Sequence, residues 1–247
     1  MAAPLLQVHA LGKRFGSFTA LSGLELEMQE GELLGLLGPN GAGKTTTMRL
    51  LMGILRASTG SARVAGRDCF EDRVEVKRLV GYLPDEPIFH DYLRGREILR
   101  FVGQMHGLTV SELERRAGGY VERLALSDAL DEFAVNYSRG MKKKLALVCA
   151  LLHEPRLLIL DEPTSGLDPQ ATRWLHELLL EQAALGVAVL LSSHLLDQVQ
   201  RLCARMAILS HGQLVALGTL DELRQRASSE SSLEEIFFAV TEAGSST

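Results

Sequence analysis

The sequence predicts an α/β fold built on a mostly parallel sheet. Two observations carry that expectation. Short, uniformly apolar runs recur along the 247-residue chain: "ELLGLLGPN", "LVGYLP", "RLLILDEP" and "VAVLLSSH". Runs of this length suit strands buried on both faces. Helical patterns lie between them, "TTTMRLLMGIL" after the first run and "QATRWLHELLLEQAALG" after the third. Buried strands that alternate with helices read as a parallel sheet covered on its faces.

The remaining elements follow in chain order. "LQVHALGKRF" and "LELEMQEGE" alternate apolar and polar residues, as half-buried strands do. From about residue 86 to about residue 152 the pattern is helical with few strand signals, which predicts a helical lobe inserted into the α/β core. In "REILRFVGQMHGL", Ile98, Phe101, Val102 and Met105 fall at helical spacing. "MAILSHGQLVALG" reads as a hairpin turning at His211-Gly212. The expected organisation is one domain over residues 1–225, with its core at about 1–85 and 153–225 and its lobe at about 86–152. A tail over 226–247 holds a short apolar helix and a small, polar, frayed end.

Composition narrows the function. The chain is 46% hydrophobic and carries a net charge of −5. Mild acidity argues against nucleic-acid binding, which relies on a basic footprint. The basic clusters are local: Arg94, Arg96 and Arg100; Arg115 and Arg116; Lys142 to Lys144. Each reads as a solvated helix face. The three cysteines, Cys69, Cys149 and Cys203, are scattered and form no C-x-x-C pair, so a structural zinc or a disulfide framework is not expected. No stretch approaches the roughly 20 apolar residues that span a bilayer, and the N-terminus shows no signal-peptide pattern.

The strongest chemical signal is "GPNGAGKTT", Gly38 to Thr46, which fits G-x-x-x-x-G-K-[ST] between a buried strand and a helix. Gly38, Asn40, Gly41 and Gly43 lie in the loop, where the glycines let the backbone curl so that N–H groups face a polyphosphate. The following helix N-terminus adds positive potential. Lys44 is expected on the β- and γ-phosphates, the Thr45 hydroxyl on Mg²⁺ and Thr46 on phosphate. The chain has only two asparagines, Asn40 and Asn136, and neither starts the N-K-x-D that reads guanine. The base is therefore adenine, or is read loosely by stacking. A second signal is "LLILDEP", a buried strand that delivers Asp161 and Glu162 to its C-terminal end, where open α/β sheets bind ligands. Asp161 suits an Mg²⁺ shell. Glu162 suits a base for an attacking water.

"GPNGAGKTT", "YSRGM", "LLILDEPTSGLDP" and "LLSSH" occur in an order and spacing that resemble an ATP-binding-cassette (ABC) ATPase, from about Leu6 to about Gly218. The resemblance implies a P-loop NTPase (RecA-like) core with an antiparallel β subdomain and an inserted helical subdomain. It implies ATP and Mg²⁺ as ligands and two cassettes paired head to tail, as a homodimer or a heterodimer. On that reading Ser138 and Gly140 of "YSRGM" approach the γ-phosphate held by the other cassette, and the start of a helix suits an anion. The other reading of Ser138 is a plain helix cap. Tyr137, Arg139 and Met141 depart from the common L-S-G-G-Q form, and the Y-S-x-G-M version is similar to one branch of bacterial exporters. Arg139 either adds charge near that phosphate or points to solvent.

The resemblance also places Asp168 in the loop that links the two sites, although Asp168-Pro169 also reads as a helix start. His194 takes the place of the switch histidine beside the γ-phosphate and the attacking water. Phe15 in "KRFG" takes the place of the aromatic that stacks on adenine, or else it packs on the core from an edge strand. Asp85 in "GYLPDEP" stands where the family usually has glutamine. A carboxylate can ligate Mg²⁺, though it donates no hydrogen bond when ionised.

The implied function is the ATP-hydrolysing subunit of an ABC transporter, peripheral on the cytoplasmic face of the cell membrane. It would power a separate membrane-spanning permease, for export, and dock on it near Phe89, Tyr92 and Leu93. Two alternatives stand beside it: a soluble ABC ATPase of translation or DNA repair, and a non-hydrolysing regulatory cassette.

Overall fold

The structure is a computed structural model that describes residues 3–226 and 233–243. In chain order, β1 (Leu6–Phe15) and β2 (Phe18–Met28) precede β3 (Leu33–Leu37), which leads into α1 (Lys44–Leu51). The chain continues through β4 (Thr59–Val64), β5 (Arg67–Asp68), α2 (Arg73–Leu79) and β6 (Val80–Leu83). Three helices follow: α3 (Gly95–Met105), α4 (Val110–Arg123) and α5 (Arg139–Leu151). Then come β7 (Leu157–Asp161), α6 (Pro169–Ala184), β8 (Ala188–Ser192), α7 (Leu196–Leu202), β9 (Arg205–Ser210), β10 (Gln213–Gly218), α8 (Leu220–Arg226) and α9 (Leu233–Ala243).

The main sheet has six strands in the order β10-β9-β3-β8-β7-β6. Its neighbours pair in parallel except β10, which returns antiparallel to β9. Every residue of β3, β7 and β8 is buried. Their side chains alternate between two cores, as the two-residue period of a strand requires. Leu158, Leu160, Val189 and Leu191 join one core with the lobe helices and α6. Leu157, Ile159, Ala188 and Leu190 join the other, against α1 and the antiparallel sheet β2-β1-β4-β5. Burying each such side chain is worth about 1.5–3 kcal/mol, so uniformly apolar runs of this kind specify a central layer.

The hairpin turns at His211-Gly212 with both φ values positive, 47° and 76°, which suits the twist of the flanking strands. The apolar helix expected in the tail is α9, and the small polar end at 244–247 lies outside the described residues. Some elements left no clear sequence signal. β4 is a short, Gly- and Ser-containing run recruited as a strand by pairing with β1. The inward face of α3 also differs from expectation. Ile98, Leu99 and Gly103 are buried, while Phe101 and Met105 are 57% and 71% exposed. An apolar stripe with members on both sides does not by itself say which side meets the core.

Candidate functional site

Sheet order assembles the site. β8 lies between β3 and β7, and β6 lies beyond β7, all parallel. The loops leaving their C-terminal ends therefore share one edge. They carry the Gly38–Gly43 loop, Asp161-Glu162, Ser192 to His194, and Asp85.

In the glycine loop, Gly43 sits at φ 106°, and a Cβ there would lie 2.8 Å from the Ala20 carbonyl oxygen, so only glycine fits without strain. The Lys44 ammonium donates to the carbonyls of Gly38 at 2.6 Å and Pro39 at 3.1 Å. Burial pulls the Lys44 pKa below its ordinary value, against the opposing fields of Glu162 and Asp161. The hairpin turn braces this loop from outside. The Gly212 N–H donates to the Ala42 carbonyl at 3.1 Å, and the Gly212 carbonyl accepts from Ser22 N–H at 2.7 Å.

The buried Asp161 carboxylate accepts from Thr45 Oγ1 at 2.9 Å and from Ser192 Oγ at 2.6 Å. Ser192 Oγ in turn accepts from the Glu162 N–H at 3.0 Å. Ser192 was not picked out from the sequence, although its place at a buried strand end before Ser193-His194 was visible. Glu162 holds a left-handed backbone, φ 47°, a conformation that costs energy in a non-glycine residue and clusters at functional sites. Its Oε2 lies 2.8 Å from His194 Nδ1. An ionised carboxylate only accepts, so this contact places a proton on Nδ1 and leaves Nε2 for another partner. A cavity of about 870 Å³ is lined by Gly38, Asn40, Asp85, Glu162 and His194 among others. A second of about 280 Å³ is lined by Gly41, Gly43, Lys44, Thr45, Thr46 and Asp161 among others, with Asn40, Asp85 and Glu162 shared between the two.

The lysine run departs from the expected solvated face. Lys143 is fully buried, and Lys144 is largely covered. Lys143 Nζ donates to the Glu162 carbonyl at 2.5 Å and to Asp85 Oδ1 at 3.2 Å. Burial lowers its pKa, partly offset by the bond to Asp85. Lys144 donates to Asp168 Oδ2 at 2.7 Å, which holds that carboxyl below the usual range. Arg139 does not point simply to solvent, because its guanidinium reaches Asp85 Oδ1 at 3.3 Å. Three basic side chains of α5 thus face carboxylates brought in from other segments. Sequence reading cannot see this, because no local pattern reports those partners. Arg116 departs likewise: it donates to the Leu152 carbonyl at 3.0 Å and pairs with Glu154 at 3.0 Å. Arg94, Arg96 and Arg100 do stay exposed.

Residues 21–165 of the chain match the family described as ABC transporter. The chain belongs to the ABC transporter family. It is 33% identical over 239 residues to the linearmycin resistance ATP-binding protein LnrL of Bacillus subtilis, covering 97% of this chain and 77% of that protein. It is 36% identical over 224 residues to the daunorubicin resistance ATP-binding protein DrrA3 of Streptomyces coeruleorubidus, covering 91% and 71%. A solved structure of the ATP binding subunit of an ABC transporter superimposes with a TM-score of 0.92 at 35% identity, covering 96% of this chain and 99% of that one. This ABC chain is accordingly an ATP-binding, ATP-hydrolysing transporter component with a P-loop NTPase fold.

Within the ABC fold, the expected residues fall into two groups. Gly38, Asn40, Gly41, Gly43, Lys44, Thr45, Thr46, Asp85, Asp161, Glu162 and His194 line one or both of these two cavities. Phe15, Ser138, Gly140 and Asp168 line neither. Phe15 is exposed beneath the Lys13 ammonium, 5.0 Å from the ring centroid, and Phe18, which sequence reading does not single out, lines the smaller cavity with Gly41, Gly43 and Lys44. Ser138 caps α5, accepting from the Met141 N–H at 3.2 Å, and Gly140 lies in the first turn of that helix. Asp168 caps α6, accepting from the Ala171 N–H at 2.8 Å, with Pro169 as its first residue. The cap readings of Ser138 and Asp168 are thus real contacts of this chain.

Proposed function

We propose that this ABC ATPase powers export through a separate membrane-spanning permease, working as one of two paired cassettes. The observation that carries the hydrolytic part is the contact between Glu162 and His194 at the mouth of the glycine loop. Glu162 deprotonates or orients the attacking water, and His194, fixed through Nδ1, offers Nε2 toward the γ-phosphate and that water. Lys44 exchanges its loop carbonyls for phosphate oxygens when ATP enters. Thr45 and Asp161 offer a hydroxyl and a carboxylate 2.9 Å apart, a donor pair that suits Mg²⁺. Bound by these residues, the ion would supply positive charge to offset the charge that develops on the phosphates. Asp85, which shares its carboxylate with Arg139 and Lys143, turns its remaining acceptor capacity to the same region.

Ser138 and Gly140 present the N-terminus of α5 to the γ-phosphate of the other cassette, and Asp168 links the two sites. The placement of these three residues away from this chain's own glycine loop supports an assignment across two chains. Phe15 takes adenine by stacking, with Phe18 beside it. The cassette spans residues 1–225, with the lobe at about 86–152. Export is supported by the resistance roles in the names of LnrL and DrrA3. No helix among the described residues is long and apolar enough to cross a membrane. Ile88 and Tyr92, exposed beside Phe89 and Leu93 just after Asp85, form its docking surface on the cytoplasmic side of the membrane.

ATP turnover of the wild type against Glu162→Gln tests the reading. The variant is expected to lose activity by about 100-fold or more while still binding ATP. Equal rates would remove Glu162 from the chemistry.

A further inference from the structure

Lys143 belongs to none of the motifs that carry the hydrolytic chemistry, yet it touches two of their segments at once. It is fully buried, one helical turn after Arg139 on α5, so the two side chains share a face. Its ammonium donates to the carbonyl of Glu162 and to the carboxylate of Asp85. The peptide groups on both sides of Glu162 are therefore held: the N–H by Ser192 Oγ at 3.0 Å, and the carbonyl by Lys143 at 2.5 Å together with the Ser165 N–H of its own turn at 3.1 Å, so that among the described residues Lys143 supplies the one hold on it from another segment. This matters because Glu162 occupies a left-handed conformation that persists only where the surroundings enforce it. Asp85 and Lys143 are also chemically matched. An ionised carboxylate at position 85 can only accept, and a buried lysine at position 143 can only donate.

We propose that Lys143 is a positioning residue for ATP hydrolysis. It fixes the Glu162 backbone, and through it the Glu162 carboxylate, and it ties that carboxylate's position to the Asp85 loop and to the helix that begins at Arg139. A displacement of α5 or of the Asp85 loop then reaches Glu162 through one ammonium group. The competing role is a buried cation that only neutralises Asp85 and supports the fold. The two differ in what they move, because positioning affects turnover at saturating ATP whereas mere neutralisation affects stability.

The inference rests on the catalytic reading of Glu162. Its test compares kcat, KM for ATP and Tm of the wild type, Lys143→Met and Lys143→Arg, with Glu162→Gln alongside. Lys143→Met is expected to lower kcat about tenfold or more, as small misplacements of a reacting group do, with KM within about twofold. Lys143→Arg is expected to recover a substantial part of that loss, because a guanidinium can still donate to the Glu162 carbonyl and to the Asp85 carboxylate. Unchanged kcat in Lys143→Met overturns the proposal. So does a loss that only tracks Tm or KM, failure of both lysine variants to fold, or a Lys143→Arg variant no better than Lys143→Met. A wild-type rate in Glu162→Gln would instead bring down the catalytic reading itself. An inactive Glu162→Gln beside a fully active Lys143→Met would bring down only the positioning role.

Discussion

Asp85 shows how one side chain can serve two demands. Its carboxylate lies at the edge of the ATP site and is also the counter-charge of a fully buried lysine. Removing one member of such a pair leaves the other charge buried without its partner, which costs more than the pair itself contributes. Asp85→Ala is expected to lower stability to urea by about 1–3 kcal/mol, below the roughly 3–5 kcal/mol of a fully buried pair because Asp85 is partly solvated. It should reduce ATP turnover as well. Asp85→Gln should retain turnover and most of the stability, since its amide oxygen still accepts from Lys143. Equal urea midpoints for the Ala variant and the wild type would show that Lys143 needs no counter-charge. The motif residues at this scale, Gly38 to Thr46 and Asp161-Glu162, were legible because their types and spacing carry their chemistry. Ser192, Phe18 and Lys143 were not, because their importance lies only in what they touch.

Among the elements, the turn between α5 and β7 joins the helical lobe to the sheet through a histidine. His153 Nε2 lies 3.2 Å from the Val80 carbonyl oxygen at the start of β6, an acceptor that places the proton on Nε2. Its ring stacks on His106 at the end of α3, with centroids 3.9 Å apart. Its buried Nδ1 has no partner among the described residues, so a second proton would be enclosed there without an acceptor. Burial, with the nearby His106 and Arg116, lowers its pKa from 6.5 to about 4. The unfolded chain therefore takes up this proton first as pH falls. Stability is complete above pH 6.5, declines between 6.5 and about 4, and loses nothing more from this group below that. The full effect is a few kcal/mol at most. The Tm of the wild type should fall more steeply across that window than the Tm of His153→Gln, which keeps a donor to Val80 without titrating. Parallel profiles would remove His153 from the acid response. The central strands were legible as elements because burial on both faces forces a uniformly apolar run. β4 was not, since its partner β1 decides its conformation, and the inward side of α3 was not, since apolar residues occur on both sides of that helix.

At the scale of the whole molecule, the glycine loop, Asp161, Glu162 and His194 form one open-sided site, while Ser138 and Gly140 lie off its cavities. On the proposed reading, a chain built this way holds half of a two-cassette site. Glu162→Gln, which should bind ATP without consuming it, is expected to sediment as a dimer with ATP and Mg²⁺ and as a monomer without ATP. A monomer under both conditions would count against pairing of identical cassettes. Chelation of Mg²⁺ should dissolve the dimer if the metal completes the ATP geometry at Thr45 and Asp161.

By itself, the amino-acid sequence determined the α/β class, the inserted helical lobe, the hairpin at His211-Gly212 and the motifs that identify an ABC ATPase. Each of these is written in local period or local spacing. Tertiary structure alone decided that Lys143 and Lys144 of α5 are turned inward onto Asp85 and Asp168, that Phe18 lines the cavity of the glycine loop, and that the hairpin turn braces Ala42. Those outcomes depend on which segments meet across the sheet edge. A charge run looks the same in sequence whether its partners are water molecules or carboxylates folded against it from far along the chain.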